Sequence, residues 1–222
     1  MEQNKVFYAD STGNVGTEEN FVTQNSDSNS DSDTDIEILN DRYKDKYDFA
    51  NKKYICKCCQ KETSALILEH HWKSHMSTIL PSLFLGAYNS ASSLEELKYF
   101  SITDIVNVAR ELRNKFPEKF SYYDLLFDDD LNQRITAYLD DTVDYMHMLI
   151  NNNCKVFVHC YMGVSRSASI VIAYLIKYNY MTYDEAFKFV SEKRYVKPNK
   201  GFEKELREFS KKYEDLRNIF MY

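Results

Sequence analysis

Apolar residues in this 222-residue chain fall into two patterns, short unbroken runs and longer stretches of helical spacing, and the two alternate from about residue 80 onward. Runs at 83–85, 105–108, 122–126 and 155–158 read as strands, the last as a short buried one around Val156-Phe157-Val158. Helical spacing predicts helices over 93–99, 135–151, 167–178, 183–193 and 200–217. The fourth strand runs into the helix richest in Ala, Ile, Leu and Tyr, and the last helix is amphipathic and highly charged. This alternation predicts an α/β fold with a central, mostly parallel sheet and helices on both faces. Candidate chemistry should then sit at the carboxyl ends of the strands.

The loop at that place is His159-Cys160-Tyr161-Met162-Gly163-Val164-Ser165-Arg166. A loop that opens a helix presents backbone N–H groups and the positive end of a dipole, which together suit a dianionic phosphate. The same field favours a thiolate at Cys160, the form that acts as a nucleophile. Gly163 lets the backbone turn close to a ligand. Arg166 offers a planar fork for two phosphate oxygens, which lysine does not. Ser167 places a hydroxyl within reach of the sulfur. The expected phosphate-binding positions are therefore His159, Tyr161, Met162, Gly163, Val164, Ser165 and Arg166, with Cys160, Arg166 and Ser167 as catalytic residues.

This loop resembles the Cys-x5-Arg signature of protein tyrosine phosphatases, in the dual-specificity branch. Leu80-Pro81-Ser82-Leu83-Phe84-Leu85-Gly86, Ile105-Val106-Asn107-Val108 and Pro198-Asn199-Lys200-Gly201-Phe202 resemble further segments of that branch. Residues 89–97, 107–117 and 162–169 are most similar to the slingshot phosphatases. The resemblance covers 78 to about 212 and implies the cysteine-dependent phosphatase fold, no cofactor for catalysis and a phosphocysteine intermediate. It also implies a carboxylic acid on a loop, which protonates the leaving group and then activates water. In the family this acid lies six residues before an apolar position opening a helix. Ile135 fits that position, so the resemblance points to Asp129 in the run Asp128-Asp129-Asp130, with Asp128 as the alternative.

No lysine or arginine stands at 161–165, so the loop is suited to one phosphate rather than a polyanion. The resemblance implies a protein substrate carrying phosphotyrosine, phosphoserine or phosphothreonine. The rivals are a phosphoprotein-binding module without turnover and a lipid or RNA 5′-phosphatase.

Charge separates the chain into parts. The formal net charge is −6, yet residues 1–50 hold 12 acidic and 4 basic side chains, which leaves the remainder slightly basic. Segment 1–50, rich in Asn, Ser, Thr and Asp, has too little apolar surface to offset its ordering and is expected to be disordered. Within it Ile36-Glu37-Ile38-Leu39 looks like a SUMO-interacting motif, a run able to add to a partner's sheet edge.

Segment 51–77 carries Cys56 and Cys59 spaced C-x2-C, then His71 and His75 spaced H-x3-H. Two thiolates and two imidazoles suit a closed tetrahedral zinc site, which folds a segment too small for its own core. Tyr54 and Leu68 stand where a Cys2His2 zinc finger has apolar residues, so the segment resembles one, with an inter-pair gap of eleven rather than twelve residues. Cys58 and His70 are alternative ligands. One finger in a net acidic chain argues against nucleic-acid binding. The expected organisation is a tail at 1–50, a zinc-finger-like segment at 51–77, a phosphatase domain at 78–215 and a short tail at 216–222. Five cysteines, three of them clustered, and no apolar run of membrane-spanning length point to a reducing compartment, by default the cytoplasm, with the nucleus open.

Overall fold

The computed structural model describes residues 7–9, 15–16, 53–56, 59–64, 71 and 74–220. The chain divides into two compact units, Met1–Lys73 and Ser74–Tyr222.

The first unit contains a four-stranded sheet of β1 (Phe7–Ala9), β2 (Val15–Gly16), β3 (Lys53–Cys56) and β4 (Glu62–Ser64), in the order β2-β1-β3-β4. β3 and β4 are antiparallel neighbours, and the turn between them is closed by Gln60 N–H donating to the Cys56 carbonyl at 2.8 Å. Gln60 takes the left-handed backbone conformation in that turn, at φ 56°. The Ile36–Leu39 run, Cys58 and His70 lie outside the described residues.

The second unit is a five-stranded sheet of β5 (Ser77–Leu80), β6 (Leu83–Ala87), β7 (Asp104–Asn107), β8 (Ser121–Asp124) and β9 (Val156–Cys160), in the order β5-β6-β9-β7-β8. All its pairs are parallel except β5 with β6. Six helices accompany it: α1 (Tyr88–Ala91), α2 (Leu94–Tyr99), α3 (Thr136–Asn151), α4 (Arg166–Tyr178), α5 (Tyr183–Ser191) and α6 (Lys200–Phe220).

Strand alternation sorts the core into two layers. Leu83, Leu85, Val106, Val156 and Val158 face the larger one, built with α3, α4, α5 and α6. Phe84, Ile105 and Phe157 face the other, with Ala91, Leu97 and Ile102. β9 is buried along its whole length because it is the middle strand. α4 is buried from Arg166 to Ile176, which explains its nearly continuous apolar sequence. It leaves the carboxyl end of β9, so the packing of strand and helix fixes both ends of the loop between them.

Polar groups secure the helices that surround α4. Thr182 and Glu185 form a reciprocal capping box on α5. The first turn of α3 is capped from α6: buried Glu205 accepts from the backbone N–H of Ile135 and Thr136 at 2.8 and 2.7 Å. Burial raises the Glu205 carboxyl, but the Thr136 hydroxyl, which also donates to it, together with these backbone donors outweighs burial and holds it below the usual carboxylate range.

Candidate active site

The loop after β9 closes around the Cys160 sulfur. Gly163 N–H and the Ser167 hydroxyl donate to Sγ at 3.3 and 3.2 Å. Gly163 stands at φ +69°, and a Cβ there would lie 2.4 Å from the Gly86 carbonyl oxygen on β6. Both the conformation and the close approach therefore demand glycine.

The carbonyls of the loop are turned outward. Tyr161 O accepts from Tyr88 N–H at 3.1 Å, Val164 O from Lys197 N–H at 2.8 Å and Ser165 O from Ser169 N–H at 2.9 Å. A trans peptide directs its N–H opposite to its C=O, so the N–H groups that follow these carbonyls face the other way.

Arg166 is buried and fixed from behind by a carboxylate of β7's following loop, Glu111. Its Nη1 and Nη2 donate to the two Glu111 oxygens at 2.7 and 2.8 Å, and Nη1 also to the Phe127 carbonyl at 3.2 Å. This bidentate pair holds the Glu111 carboxyl below its ordinary range. It raises Arg166, outweighing the opposing effect of burial. Nε of Arg166 is buried without a hydrogen-bond partner, 3.8 Å from Asp129 Oδ2.

The three consecutive acids have three different surroundings. Asp128 turns away to pair with Arg110, at 3.0 Å. Asp130 Oδ1 accepts from Asn132 N–H within its own turn, at 2.7 Å. Asp129 alone of the three lines the cleft. Its Oδ1 accepts from the Ser165 hydroxyl at 2.8 Å and from Asn199 Nδ2 at 2.9 Å, which leaves Oδ2 toward Arg166.

The resulting cleft is about 410 Å³ and brings together Asp129, Cys160, Tyr161, Met162, Val164, Ser165 and Arg166. Tyr161 and Met162 are exposed on its rim. Lys197, Pro198, Asn199 and Lys200 complete it, so a segment distant in sequence adds two cations beside the loop. His159, expected among the phosphate-binding positions, does not line the cleft. Its ring is 1% exposed and stacked near Phe157, because β9 alternation turns it into the core. Burial pushes its pKa down to about 4, so it is neutral at physiological pH.

Glu111 and Asn199 are site residues that sequence reasoning did not single out. Glu111 follows the carboxyl end of a parallel strand next to β9, the place where open α/β sheets collect functional groups, and that topological signal was available.

The Cys/His group is also assembled. Cys56 and Cys59 are buried, Cys59 Sγ lies 3.4 Å from His71 Nε2, and one donor atom from each of Cys56, Cys59, His71 and His75 lies within 4.8 Å of the others. A tetrahedron with metal–ligand distances of 2.0–2.3 Å has edges of about 3.3–3.8 Å, so this donor set fits zinc with a modest contraction. No helix of the described residues is long and apolar enough to cross a membrane.

Comparison with known proteins agrees with this geometry. Residues 83–212 match the family model described as dual specificity phosphatase, catalytic domain. The chain is 39% identical over 141 residues to Protein phosphatase Slingshot of Drosophila melanogaster, covering 63% of this chain and 14% of that protein. It is 33% identical over 172 residues to human Protein phosphatase Slingshot homolog 1, covering 77% of this chain and 15% of that protein. This chain thus spans about a seventh of the length of these relatives. The crystal structure of human tyrosine phosphatase-like serine/threonine/tyrosine-interacting protein superposes with a TM-score of 0.60 at 35% identity, covering 64% of this chain and 99% of that one. With Cys160, Arg166 and Asp129 lining one cleft and the family model spanning most of the second unit, the chain belongs to the dual specificity phosphatase family, near its Slingshot branch.

Proposed function

We propose that this chain hydrolyses phosphate monoesters on protein side chains through a phosphocysteine intermediate. The observation that carries the reading is the convergence, in one cleft, of Cys160 Sγ, the unpartnered Nε of Arg166 and Asp129 Oδ2.

Cys160 thiolate attacks phosphorus while the loop N–H groups and Arg166 hold the phosphoryl oxygens. The bond from phosphorus to the side-chain oxygen breaks, and Asp129 gives its proton to that oxygen, releasing the dephosphorylated protein. Oδ1 of Asp129 is saturated by Ser165 and Asn199, so Oδ2 is the oxygen that carries the proton. Water then attacks the phosphocysteine, Asp129 takes its proton, and the S–P bond breaks to give inorganic phosphate and the thiolate. Ser167, at 3.2 Å, stabilises the sulfur as it leaves. General acid–base catalysis of this kind contributes roughly 10²–10⁴ in rate.

The Cys/His group is assigned to a structural zinc ion held by Cys56, Cys59, His71 and His75, with no part in the chemical steps. His75 turns Nδ1 to the buried Glu96 carboxylate at 3.0 Å, the carboxylate–histidine arrangement typical of metal ligands. Reduced thiols at such a site fit the cytoplasm or nucleus.

The experiment is hydrolysis of an aryl phosphate and of phosphotyrosine and phosphoserine peptides by wild type, Cys160→Ser and Asp129→Ala. Loss in both variants supports the assignment. An inactive wild type overturns the enzyme reading in favour of a binding module, and unimpaired turnover in Asp129→Ala overturns the acid.

A further inference from the structure

Two further loop carbonyls, those of Met162 and Gly163, are both held by one side chain. Arg194, half-buried between α5 and α6, donates from Nη2 to Met162 O at 3.2 Å and from Nε to Gly163 O at 3.0 Å. Its remaining nitrogen, Nη1, donates to the His75 carbonyl at 3.0 Å. Arg194 does not line the cleft, so it has no direct access to a phosphate there.

The geometry of the peptide unit gives this arrangement a consequence. Met162 C=O and Gly163 N–H belong to the same plane and point in opposite directions. Arg194 grips one end of that plane while the other donates to Cys160 Sγ at 3.3 Å. Gly163 C=O and Val164 N–H form the next plane, gripped in the same way. With φ at +69°, Gly163 has little intrinsic preference for this orientation, because glycine visits both hands of the backbone map. An external clamp is needed to hold two successive N–H groups toward the sulfur and the phosphate. Lysine, a point charge on a flexible stem, does not span two carbonyls in one plane.

The clamp is itself braced. The His75 carbonyl sits in a segment fixed twice by Glu96, whose Oε1 accepts from Met76 N–H at 2.7 Å and whose Oε2 meets His75 Nδ1 at 3.0 Å. Glu96 and His75 are both 4% exposed at the side chain, so the brace is internal to the second unit. The line of force runs from α2 through residues 75 and 76 to Arg194, and from there to the middle of the phosphate loop.

We propose that Arg194 is a positioning residue that orients the Met162–Gly163 and Gly163–Val164 peptides for phosphate binding, with Glu96 as the anchor of its far end. The proposal rests on the loop being a phosphate site.

Inorganic phosphate binding, measured by titration calorimetry on the full chain together with the melting temperature, tests it. Arg194→Met is expected to weaken phosphate by about tenfold, the worth of one charge-assisted hydrogen bond. Arg194→Lys, which keeps the charge, is expected to fall close to Arg194→Met rather than to wild type, and it serves where the methionine variant does not fold. Glu96→Gln is expected to weaken phosphate about threefold, and the double variant no more than Arg194→Met alone. Near-wild-type phosphate affinity in a folded Arg194→Lys or Arg194→Met variant overturns the orienting role. Independent, multiplying losses from Glu96 and Arg194 overturn the brace. A wild type that binds no phosphate overturns the phosphate-site reading beneath both.

Discussion

Replacing Asn199 by serine separates two duties that one side chain performs. Asn199 Oδ1 caps α6 by accepting from Phe202 N–H at 3.0 Å, while Nδ2 donates to Asp129 Oδ1 at 2.9 Å. Serine is an equally good cap, so the helix end loses little. Its hydroxyl is too short to serve Asp129 as well, and one of two donors on that carboxylate disappears. A hydrogen bond to a neutral carboxyl oxygen is worth about 0.5–1.5 kcal/mol net, and this one, aligned at the helix end, is taken at the upper value. With the acid held by this bond and that of Ser165, a loss of about 1.5 kcal/mol lowers the population of the correctly placed acid about tenfold. The consequence depends on the leaving group. A phosphoserine peptide, which releases a strongly basic alkoxide, should lose about tenfold in kcat, whereas an aryl phosphate with an acidic phenol should lose less than about threefold. Parallel steady-state kinetics on the two substrates, with melting temperatures as control, is the assay. Equal losses on both would refute the link between Asn199 and proton transfer, and a variant as active as wild type on the peptide would show that the Ser165 bond alone suffices.

Three other substitutions or treatments have defined outcomes. Gly163→Ala forces a Cβ to within 2.4 Å of the Gly86 carbonyl at a positive φ, so it should abolish phosphate binding and lower stability by about 2 kcal/mol or more in denaturant titration; a fully active, stable variant would contradict the close approach. His159 is neutral in the fold with a pKa of about 4 against 6.5 in the unfolded chain, so the unfolded state binds the extra proton between those values and stability falls as pH drops through that window. The expected loss is about 3 kcal/mol between pH 7 and pH 4, and His159→Asn should remove it from the stability profile; an unchanged profile would refute the assignment. The purified 222-residue chain should contain one equivalent of zinc, lost with a fall in melting temperature when Cys56 and Cys59 are both changed to serine; metal-free wild type under reducing conditions would refute the site.

The loop after β9 was legible because strand, turn and helix each leave a local mark. Buried Val156-Phe157-Val158, the tight Gly163 turn and the apolar α4 occupy adjacent stretches of sequence, and their order alone places the cysteine at the foot of a helix. β5 was not foreseen, since Ser77-Thr78-Ile79-Leu80 shows no long apolar run and owes its pairing to an edge position beside β6. The four-residue α1 is too short to show a helical period. The strand expected to reach 126 ends at Asp124, yet Leu125 and Phe127 stay buried on the chain's way to Asp129, so burial there outlasts the ladder. Asp129 was separable from Asp128 only through position relative to Ile135, and the fold supplies the physical difference, Arg110 on one carboxylate and Ser165 with Asn199 on the other. Glu111, Arg194 and Asn199 bond to partners 31 to 119 residues away, and such pairings leave no mark in local spacing.

The central claim is that phosphate passes through Cys160. Ser167→Ala should slow breakdown of the intermediate by withdrawing the donor 3.2 Å from the sulfur, without preventing its formation. Mixing that variant with a phosphorylated substrate, quenching in acid and mapping the label by mass spectrometry should reveal a single phosphate on Cys160, absent when Cys160→Ser is added. Turnover with no label on Cys160, or label that persists in the Cys160→Ser background, would contradict the account.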